Sequence, residues 1–229
     1  MEEVLDRLDE VEGDPAVQVV VISGDGPAFS AGHDLGEMTA EHDAAFYDKL
    51  FATCGALMSR LHALPQPVIA EVRGVATAAG CQLVAACDLA VAAEDARFAT
   101  PGVNIGLFCS TPMVPLSRAI GRKRALEMLF TGEMIDAATA AEWGLVNRVV
   151  PESELTDAVN ALARQIAKAS PAVVALGKRT FYAQDGVDEA AAYALTCAVM
   201  ADNAQMDDAQ EGMRAFLEKR APRWGSANT

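Results

Sequence analysis

Two loops of small residues could present backbone donors to an anion. The first is "SGDGPAFSAGHDLGEM", residues 23–38, and the second is "GVATAAGCQL", residues 74–83. In the second loop, glycine and alanine leave so little side-chain bulk that a ligand can touch the main chain. A helix is predicted to begin there with free N–H groups. Such donors stabilise a carbonyl oxygen that gains negative charge. Close packing of a helix on a strand explains the same residues, and composition alone favours that explanation.

The side chains around these loops offer little acid–base chemistry. Gln82 can position a water, but its amide cannot exchange a proton near neutral pH. Asp34 and Glu37 lie in the first loop, where Asp34 is better explained as a hydrogen-bond acceptor that holds the loop. Cys109 has no histidine near it in sequence, which favours an inert wall residue. None of these residues carries a signal that names it as a catalyst.

Neither a dinucleotide nor a metal ion is predicted as a cofactor. "GDGPAF" (24–29) begins like the dinucleotide fingerprint, but Phe29 replaces its third glycine and Pro27 lies within it. The fingerprint therefore fails where its mechanism needs a tight turn into a helix. The three histidines lie at no metal-ligand spacing, so no metal site is expected.

The charge balance bears on the class of partner. The 229 residues include 18 Lys and Arg against 32 Asp and Glu, for a net charge of −14. Nucleic acids and anionic membranes attract a positive field, so neither is an expected partner. The longest apolar stretch, residues 74–93, is mostly alanine and contains Gln82 and Asp88. No membrane span is predicted from it.

Cysteine usage and the first residues of the chain favour a cytoplasmic location. The five cysteines are odd in number and contain no C-x-x-C pair, which is typical of reduced thiols in a cytosol-like compartment. The chain begins "MEEVLDRLDEVEGDP", an acidic segment with helical spacing of its apolar residues. A signal or transit peptide would need a basic start, so none is predicted here.

The first half of the chain alternates predicted strands and helices. "VQVVVISG" (17–24) predicts a buried, parallel strand, and "PVIAEVRG" (67–74) and "DLAVAA" (88–93) predict two more. Residues 41–64 predict a long helix, and a short one should begin near Ala79. This alternation indicates an α/β layer architecture.

The second half is predicted to be mostly helical. Pro101 and Gly102 favour a type II turn. After a strand at 145–151, a helix at 152–170 has Ser153 as its N-cap candidate. Further helices are predicted near 111–121, 122–132, 171–184, 187–204 and 207–220. A lone layer would leave the apolar stripes of the last helices in water, so they should pack on the core or on a neighbouring subunit.

Several motifs in order carry a resemblance to a known family. "AFSAGHDLGEM", "PVIAEVRGVATAAGCQLVAACDLAVAAEDARFATPGVNIGL" and "ALEMLFTGEMIDAATAAEWGLVNRVVP" resemble the crotonase superfamily of enoyl-CoA hydratases and isomerases. The resemblance covers nearly the whole chain from about residue 17. "SAGHDL", "AAGCQLVAACD" and "FATPGVNIGLFCSTP" are most similar to one branch of that family.

The resemblance implies an α/β fold of the ClpP/crotonase type. This fold is a spiral of ββα units with a helical C-terminal trimerisation region. Residues 1–150 would form the core, without the strand hairpin that usually opens it, and residues 151–229 the helical region. The expected assembly is a homotrimer or homohexamer. The implied substrate is an acyl-CoA thioester, with no separate cofactor.

The family's site residues can be placed on this sequence one by one. The A-G-x-D loop falls on Ala31, Gly32, His33 and Asp34, and the family's oxyanion hole falls on the backbone N–H groups of His33 and Ala79. The two catalytic glutamates of the hydratases fall on Gln82 and Gly102. The resemblance further implies that substrate contacts come from Ala31, Asp34, Leu35, Gly36 and Gly80.

The replacement of both glutamates changes the activity that we expect. Each lost acid–base group commonly costs about 10²- to 10⁴-fold in rate, so ordinary 2-enoyl-CoA hydration should be severely weakened. The resemblance implies an enzyme of lyase or isomerase type that stabilises a thioester enolate by other means. The alternative is a non-catalytic acyl-CoA-binding or scaffold protein of the same fold.

Overall fold

The computed structural model describes residues 1–40 and 43–225. Its seven named strands are short, and all but one of their pairings are parallel. The strands are β1 (Val20–Ser23), β2 (Val68–Val72), β3 (Val75–Thr77), β4 (Leu89–Ala93), β5 (Arg97–Ala99), β6 (Ile135–Asp136) and β7 (Arg148–Val150). They form one sheet in the order β1-β2-β4-β7 and a second in the order β3-β5-β6.

Helices surround the two sheets. They are α1 (Glu2–Glu12), α2 (Leu35–Ala40), α3 (Ala44–Ala63), α4 (Ala79–Ala86), α5 (Met113–Ala119), α6 (Arg122–Thr131), α7 (Ala137–Trp143), α8 (Leu155–Ile166), α9 (Pro171–Gln184), α10 (Glu189–Gln205) and α11 (Asp207–Leu217). Strands β2 and β4 lie close to their predicted positions, and α9 has the predicted bounds. The α/β class predicted from the sequence is confirmed.

The larger sheet is covered on both faces. Successive residues of a strand point to opposite faces. Ile69 and Val91 accordingly face one way and pack with Leu155 and Val159 of α8. Val68 faces the other way, into the layer that α1, α3 and α4 supply. Helix α4, which follows β3 directly, belongs to this layer through Ala79, Leu83 and Ala86.

Two predictions about individual elements are wrong. β1 is parallel to β2 as expected, but it lies at the edge of its sheet and Val21 is 38% exposed. A β-branched run has the same composition in an edge strand as in a central one, so the sequence cannot distinguish them. Ser153 does not cap α8, because the short 3₁₀ helix Glu152–Glu154 precedes it and Leu155 is its first residue.

The C-terminal helices present apolar side chains to the surface. Helices α9 and α10 contain no buried residue. Phe181, Tyr193, Met200 and Phe216 are each more than 60% exposed. In a single chain, these apolar side chains of the C-terminal helices are therefore left in contact with solvent. The apolar stripes of the sequence predicted such a surface. Within the described residues, no helix has the length and apolar character needed to cross a bilayer.

Candidate active site

The two donor loops are joined by backbone hydrogen bonds. Ser30 N–H donates to the Val75 carbonyl at 3.1 Å, and Thr77 N–H donates to the Ser30 carbonyl at 2.9 Å. These bonds form an isolated parallel bridge between Ser30 and Ala76. The Thr77 hydroxyl donates to the Ala31 carbonyl at 3.2 Å. The loop after β1 is thereby fixed on β3, immediately before α4 begins.

Two glycines permit the close approach of these loops. A Cβ at Gly80 would lie 2.1 Å from the Ser30 carbonyl oxygen, a distance that no side chain tolerates. Gly32 has a φ of +99°, and a Cβ there would lie 3.2 Å from the Ala79 nitrogen. The backbone of the first loop therefore runs directly beside the first residue of α4.

The backbone turns sharply just before α4. Ala78 has a φ of +51° and a ψ of −117°, which is unusual for a residue with a Cβ. Such conformations cost about 1–3 kcal/mol and cluster at functional sites. Among the described residues, the N–H groups of His33 and Ala79 donate to no protein acceptor. Both donors are therefore available to a ligand.

A cavity of about 610 Å³ opens in front of these two residues. Its wall is mainly apolar and includes no Asp, Glu, Lys or Arg among the described residues. The wall consists of Ala31, His33, Leu35, Met38, Phe51, Ala78, Ala79, Pro101, Gly102, Asn104, Ile105, Leu107, Phe108, Cys109, Ser110, Thr111 and Pro112. An apolar cavity with a few polar groups is the usual form of a small-molecule site.

The cavity brings together only some of the residues that the sequence predicted. Ala31, His33, Leu35, Ala79 and Gly102 line it. The predicted site residues that lie outside its wall are Asp34, Gly36, Gly80 and Gln82. The Asp34 carboxylate instead accepts hydrogen bonds from the N–H groups of Gly36 at 2.7 Å and Glu37 at 3.3 Å.

Gln82 does not belong to the cavity wall. Its side chain is buried between α4 and α3, with 2% of the residue exposed. The Cys54 thiol donates to its Oε1 atom at 3.6 Å. This hydrogen bond holds the Oε1 atom on the α3 side.

Gly102 has no room for a side chain. A Cβ there would lie 2.5 Å from the Leu107 carbonyl oxygen and 2.9 Å from the Cys109 sulfur. The predicted type II turn is wrong, because Pro101–Ile105 forms a 3₁₀ helix and the φ of Gly102 is not positive. A glutamate at this position would therefore require the segment around Leu107 to move.

His33 contributes a side chain to the cavity as well as an amide. Its ring meets Phe51 edge to face, with centroids 5.6 Å apart. Its Nε2 atom is buried and has no hydrogen-bond partner. Burial lowers the pKa of the imidazole, which favours its neutral form. The other titratable side chain in the wall is Cys109, whose pKa is raised by burial.

Sequence reasoning missed the apolar wall of the cavity. Met38 and Phe51 come from α2 and α3, and Ile105, Leu107 and Phe108 come from the segment after Pro101. The clustering of the apolar residues Ile105, Leu107 and Phe108 in one short segment was the available signal, and the structure shows all three to be exposed. The described residues contain no group of three or more His, Cys, Asp or Glu that could hold a metal ion.

Comparison with known families identifies the fold. The sequence model of the enoyl-CoA hydratase/isomerase family matches residues 1–227, nearly the whole chain. The chain belongs to the enoyl-CoA hydratase/isomerase family. This finding confirms the resemblance of the two loops, and it places the chain in the crotonase superfamily.

Individual relatives point to the branch that the three motifs indicated. The chain is 54% identical over 219 residues to enoyl-CoA hydratase domain-containing protein 3 of Xenopus laevis, covering 96% of this chain and 74% of the relative. The crystal structure of the human protein of that name has a TM-score of 0.90 and 51% identity, covering 96% and 90% of the two chains. An enoyl-CoA hydratase structure from Mycobacterium smegmatis has a TM-score of 0.93 and 52% identity, covering 96% and 85%. These neighbours confirm the crotonase fold.

The prediction of a cytoplasmic location is contradicted by these relatives. The similar proteins of Xenopus laevis, Rattus norvegicus and Homo sapiens are named as mitochondrial. The prediction used unpaired cysteines and the acidic first residues. Free thiols indicate a reducing compartment and do not say which one, so the argument could not separate the cytoplasm from other compartments.

Proposed function

We propose that this protein binds acyl-CoA thioesters in the 610 Å³ cavity and stabilises a thioester enolate with the N–H groups of His33 and Ala79. The observation that carries the proposal is the pair of unpartnered amides, which belong to two residues that both line the cavity. An acyl chain suits the apolar wall, and backbone donors suit the developing oxyanion. The thioester would be the substrate, with no separate cofactor.

Ordinary hydration of a 2-enoyl-CoA should be slow. Hydration needs a group that delivers a proton and one that activates water. Gln82 is turned toward Cys54, and the space at Gly102 is filled by the chain around Leu107. Neither position supplies a carboxylate, and the described cavity wall contains none. We expect only slow loss of enoyl-thioester absorbance from crotonyl-CoA at high protein concentration.

Removal of one amide donor tests the enolate proposal. The measured reaction is exchange of the α-protons of butyryl-CoA for deuterium in D₂O, followed by mass spectrometry. Ala79→Pro removes the N–H at the first residue of α4, and thermal unfolding must show that the variant folds, because the residue before a proline prefers an extended conformation that Ala78 does not have. Loss of one oxyanion donor should slow exchange by about 10²- to 10³-fold. Glu189→Pro, at the first residue of α10, is the matched control and should exchange like the wild type. Unchanged exchange in Ala79→Pro would refute the proposed oxyanion hole.

The absence of a carboxylate from the cavity wall favours a second candidate, a non-catalytic acyl-CoA-binding protein. Both candidates predict saturable binding of butyryl-CoA, measured by calorimetry. Only the first predicts isotope exchange or a new product from a panel of thioesters. Binding without either result would support the second candidate.

We further propose that the chain forms a homotrimer or homohexamer through its C-terminal helices. The exposed apolar side chains of Phe181, Tyr193, Met200 and Phe216 form the supporting observation. Uncovered apolar surfaces of this kind mark association sites. Light scattering should give three or six times the 24.1 kDa of one chain, whereas a monomer would refute this assembly.

A further inference from the structure

One stretch of chain, residues 101–112, supplies more than half of the described wall of the 610 Å³ cavity. From residue 98 to residue 117 the sequence contains no Asp, Glu, Lys, Arg or His. In the middle of this uncharged stretch, Ile105, Leu107 and Phe108 are between 44% and 58% exposed. Large apolar side chains that are exposed together and line a cavity are typical of a ligand-binding surface.

The cavity offers no partner to a charged acyl group. Its described lining residues include no Lys or Arg. The nearest cations along the chain on either side of the wall segment lie elsewhere. Arg97 donates to the Ala96 carbonyl at 2.9 Å, and Arg118 lines the second cavity, of about 550 Å³. Since an ionised carboxylate is costly to bury without a cation, an acyl chain that ends in a carboxylate should be excluded.

The volume of the cavity exceeds the need of a short acyl chain. If each carbon takes about the space of one water molecule, about 30 Å³, an eight-carbon chain needs about 240 Å³. The cavity of about 610 Å³ has room for such a chain beside the thioester. A four-carbon chain would leave much of the apolar wall in contact with water.

The shape of the cavity favours a flexible chain as its occupant. Its wall includes Met38 and Cys109, which are buried, as well as the exposed side chain of Ile105. The cavity therefore extends from the surface into the interior of the chain. A helix of a second copy, about 10–12 Å across, could cover the exposed rim but could not fill the interior.

We propose that the cavity selects neutral acyl thioesters of medium chain length, such as octanoyl-CoA, over short ones and over those with a terminal carboxylate. Ile105, Leu107 and Phe108 are the specificity-determining side chains. This inference rests on the proposed function, because the thioester carbonyl must bind at the amides of His33 and Ala79, which line the same cavity. From there, the described wall offers the acyl chain only uncharged surface.

The dissociation constants of four esters test the selection in the wild-type protein by calorimetry. The esters are butyryl-CoA, hexanoyl-CoA, octanoyl-CoA and adipoyl-CoA, which is hexanoyl-CoA with a terminal carboxylate. Each methylene that leaves water for an apolar wall should tighten binding about fourfold. Octanoyl-CoA should therefore bind about 10²-fold more tightly than butyryl-CoA. Adipoyl-CoA should bind about 10²-fold more weakly than hexanoyl-CoA.

A cation placed in the wall should change the preference. Ile105→Lys adds the charge at an exposed position of the wall, where the fold does not depend on the side chain. The ratio of the adipoyl-CoA to the hexanoyl-CoA dissociation constant should fall by about tenfold. Val103→Lys, at an exposed residue outside the wall, is the matched control. It adds the same attraction for the phosphates of CoA, but it should keep the wild-type ratio.

The outcomes separate this inference from the proposed function. Equal affinities of the wild type for butyryl-CoA and octanoyl-CoA, or for hexanoyl-CoA and adipoyl-CoA, would overturn the selection and leave the proposed function intact. Failure to bind any of the four esters would refute the proposed function itself. Selective binding without isotope exchange would refute the enolate and support the selection.

The variant distinguishes a ligand contact from a subunit contact. An unchanged ratio in Ile105→Lys would overturn the assignment of Ile105. Light scattering should give this variant the mass of the wild-type assembly. A lower mass with unchanged ester affinities would show that the exposed side chains of this segment contact another subunit, and would overturn their role in selection.

Discussion

Among the described residues, two half-buried histidines lie in contrasting surroundings. His33 lies in the apolar cavity with an unpartnered nitrogen. His62 stacks on Tyr182, with ring centroids 4.1 Å apart, beside a second cavity of about 550 Å³. Around His62, Lys178 and Tyr182 both donate to the Asp88 carboxylate, at 2.6 and 2.7 Å.

The polar groups of the second region satisfy one another. The Lys178 ammonium also donates to the carbonyls of Leu61 at 2.7 Å and Gln66 at 2.9 Å, which uses all three of its protons. The Val68 N–H donates to the same carboxylate at 2.7 Å. This network joins α9 to the sheet, and the hydrogen-bond donors of Lys178 are all used within it. In the cavity beside His33, by contrast, backbone hydrogen-bond donors remain free for a ligand. The difference separates a network that stabilises the fold from a site whose backbone N–H groups are free for a ligand.

The largest expected effect is a loss of stability when Asp88 loses its cation. Lys178→Met leaves the buried Asp88 charge without its cation, and breaking such a pair costs about 3–5 kcal/mol. Urea denaturation gives the free energy of unfolding. Lys168→Met, at an exposed lysine, is the control and should change stability by less than about 0.5 kcal/mol. Equal costs for the two variants would show that the network does not hold α9.

A smaller loss of stability is expected when a side chain is added at Gly102 in the cavity wall. Gly102→Ala forces the chain near Leu107 to move, and overpacking of this kind costs about 1–3 kcal/mol. Gly26→Ala is the control, because no atom lies within 4 Å of its added Cβ. For the same reason, Gly102→Glu should not restore rapid hydration of crotonyl-CoA. Rapid hydration would show that the segment over Gly102 yields easily.

Both histidines should make stability depend on pH in the same direction. Burial lowers the pKa of His33 and of His62, so the unfolded chain takes up protons first as the pH falls. Stability should therefore decrease from pH 8 to pH 5.5, by at most about 1.4 kcal/mol per pH unit for each proton. His33→Gln and His62→Gln should each reduce this slope. An unchanged slope in both variants would assign it to other groups.

The smallest expected effect is a gain in stability at the cavity. Ala78→Gly removes the Cβ from a backbone with a φ of +51°, which should stabilise the fold by about 1 kcal/mol. Ala85→Gly, inside α4, is the control and should destabilise by about the same amount. Thermal unfolding measures both. Destabilisation by Ala78→Gly would mean that this turn stores no strain.

Local patterns predicted the elements that are long or strongly biased. Apolar stripes placed α9, and runs of Val, Ile and Ala placed β2 and β4. Strands β5 and β6 were missed because two or three residues carry no periodic signal. The edge position of β1 was missed because strand order depends on the whole chain. The division at residue 150 stays a prediction.

The order of its residues alone determined the α/β class of this protein, its family and the positions of the two donor loops, because these depend on local patterns and motifs. Only the tertiary structure decided which side chains meet. The packing of α3 on α4 turns Gln82 toward Cys54, and the chain folded over Gly102 removes the space for a side chain. The contact of the His33 ring with Phe51 of α3 likewise depends on the tertiary structure, because contacts between distant segments set the surroundings of each group.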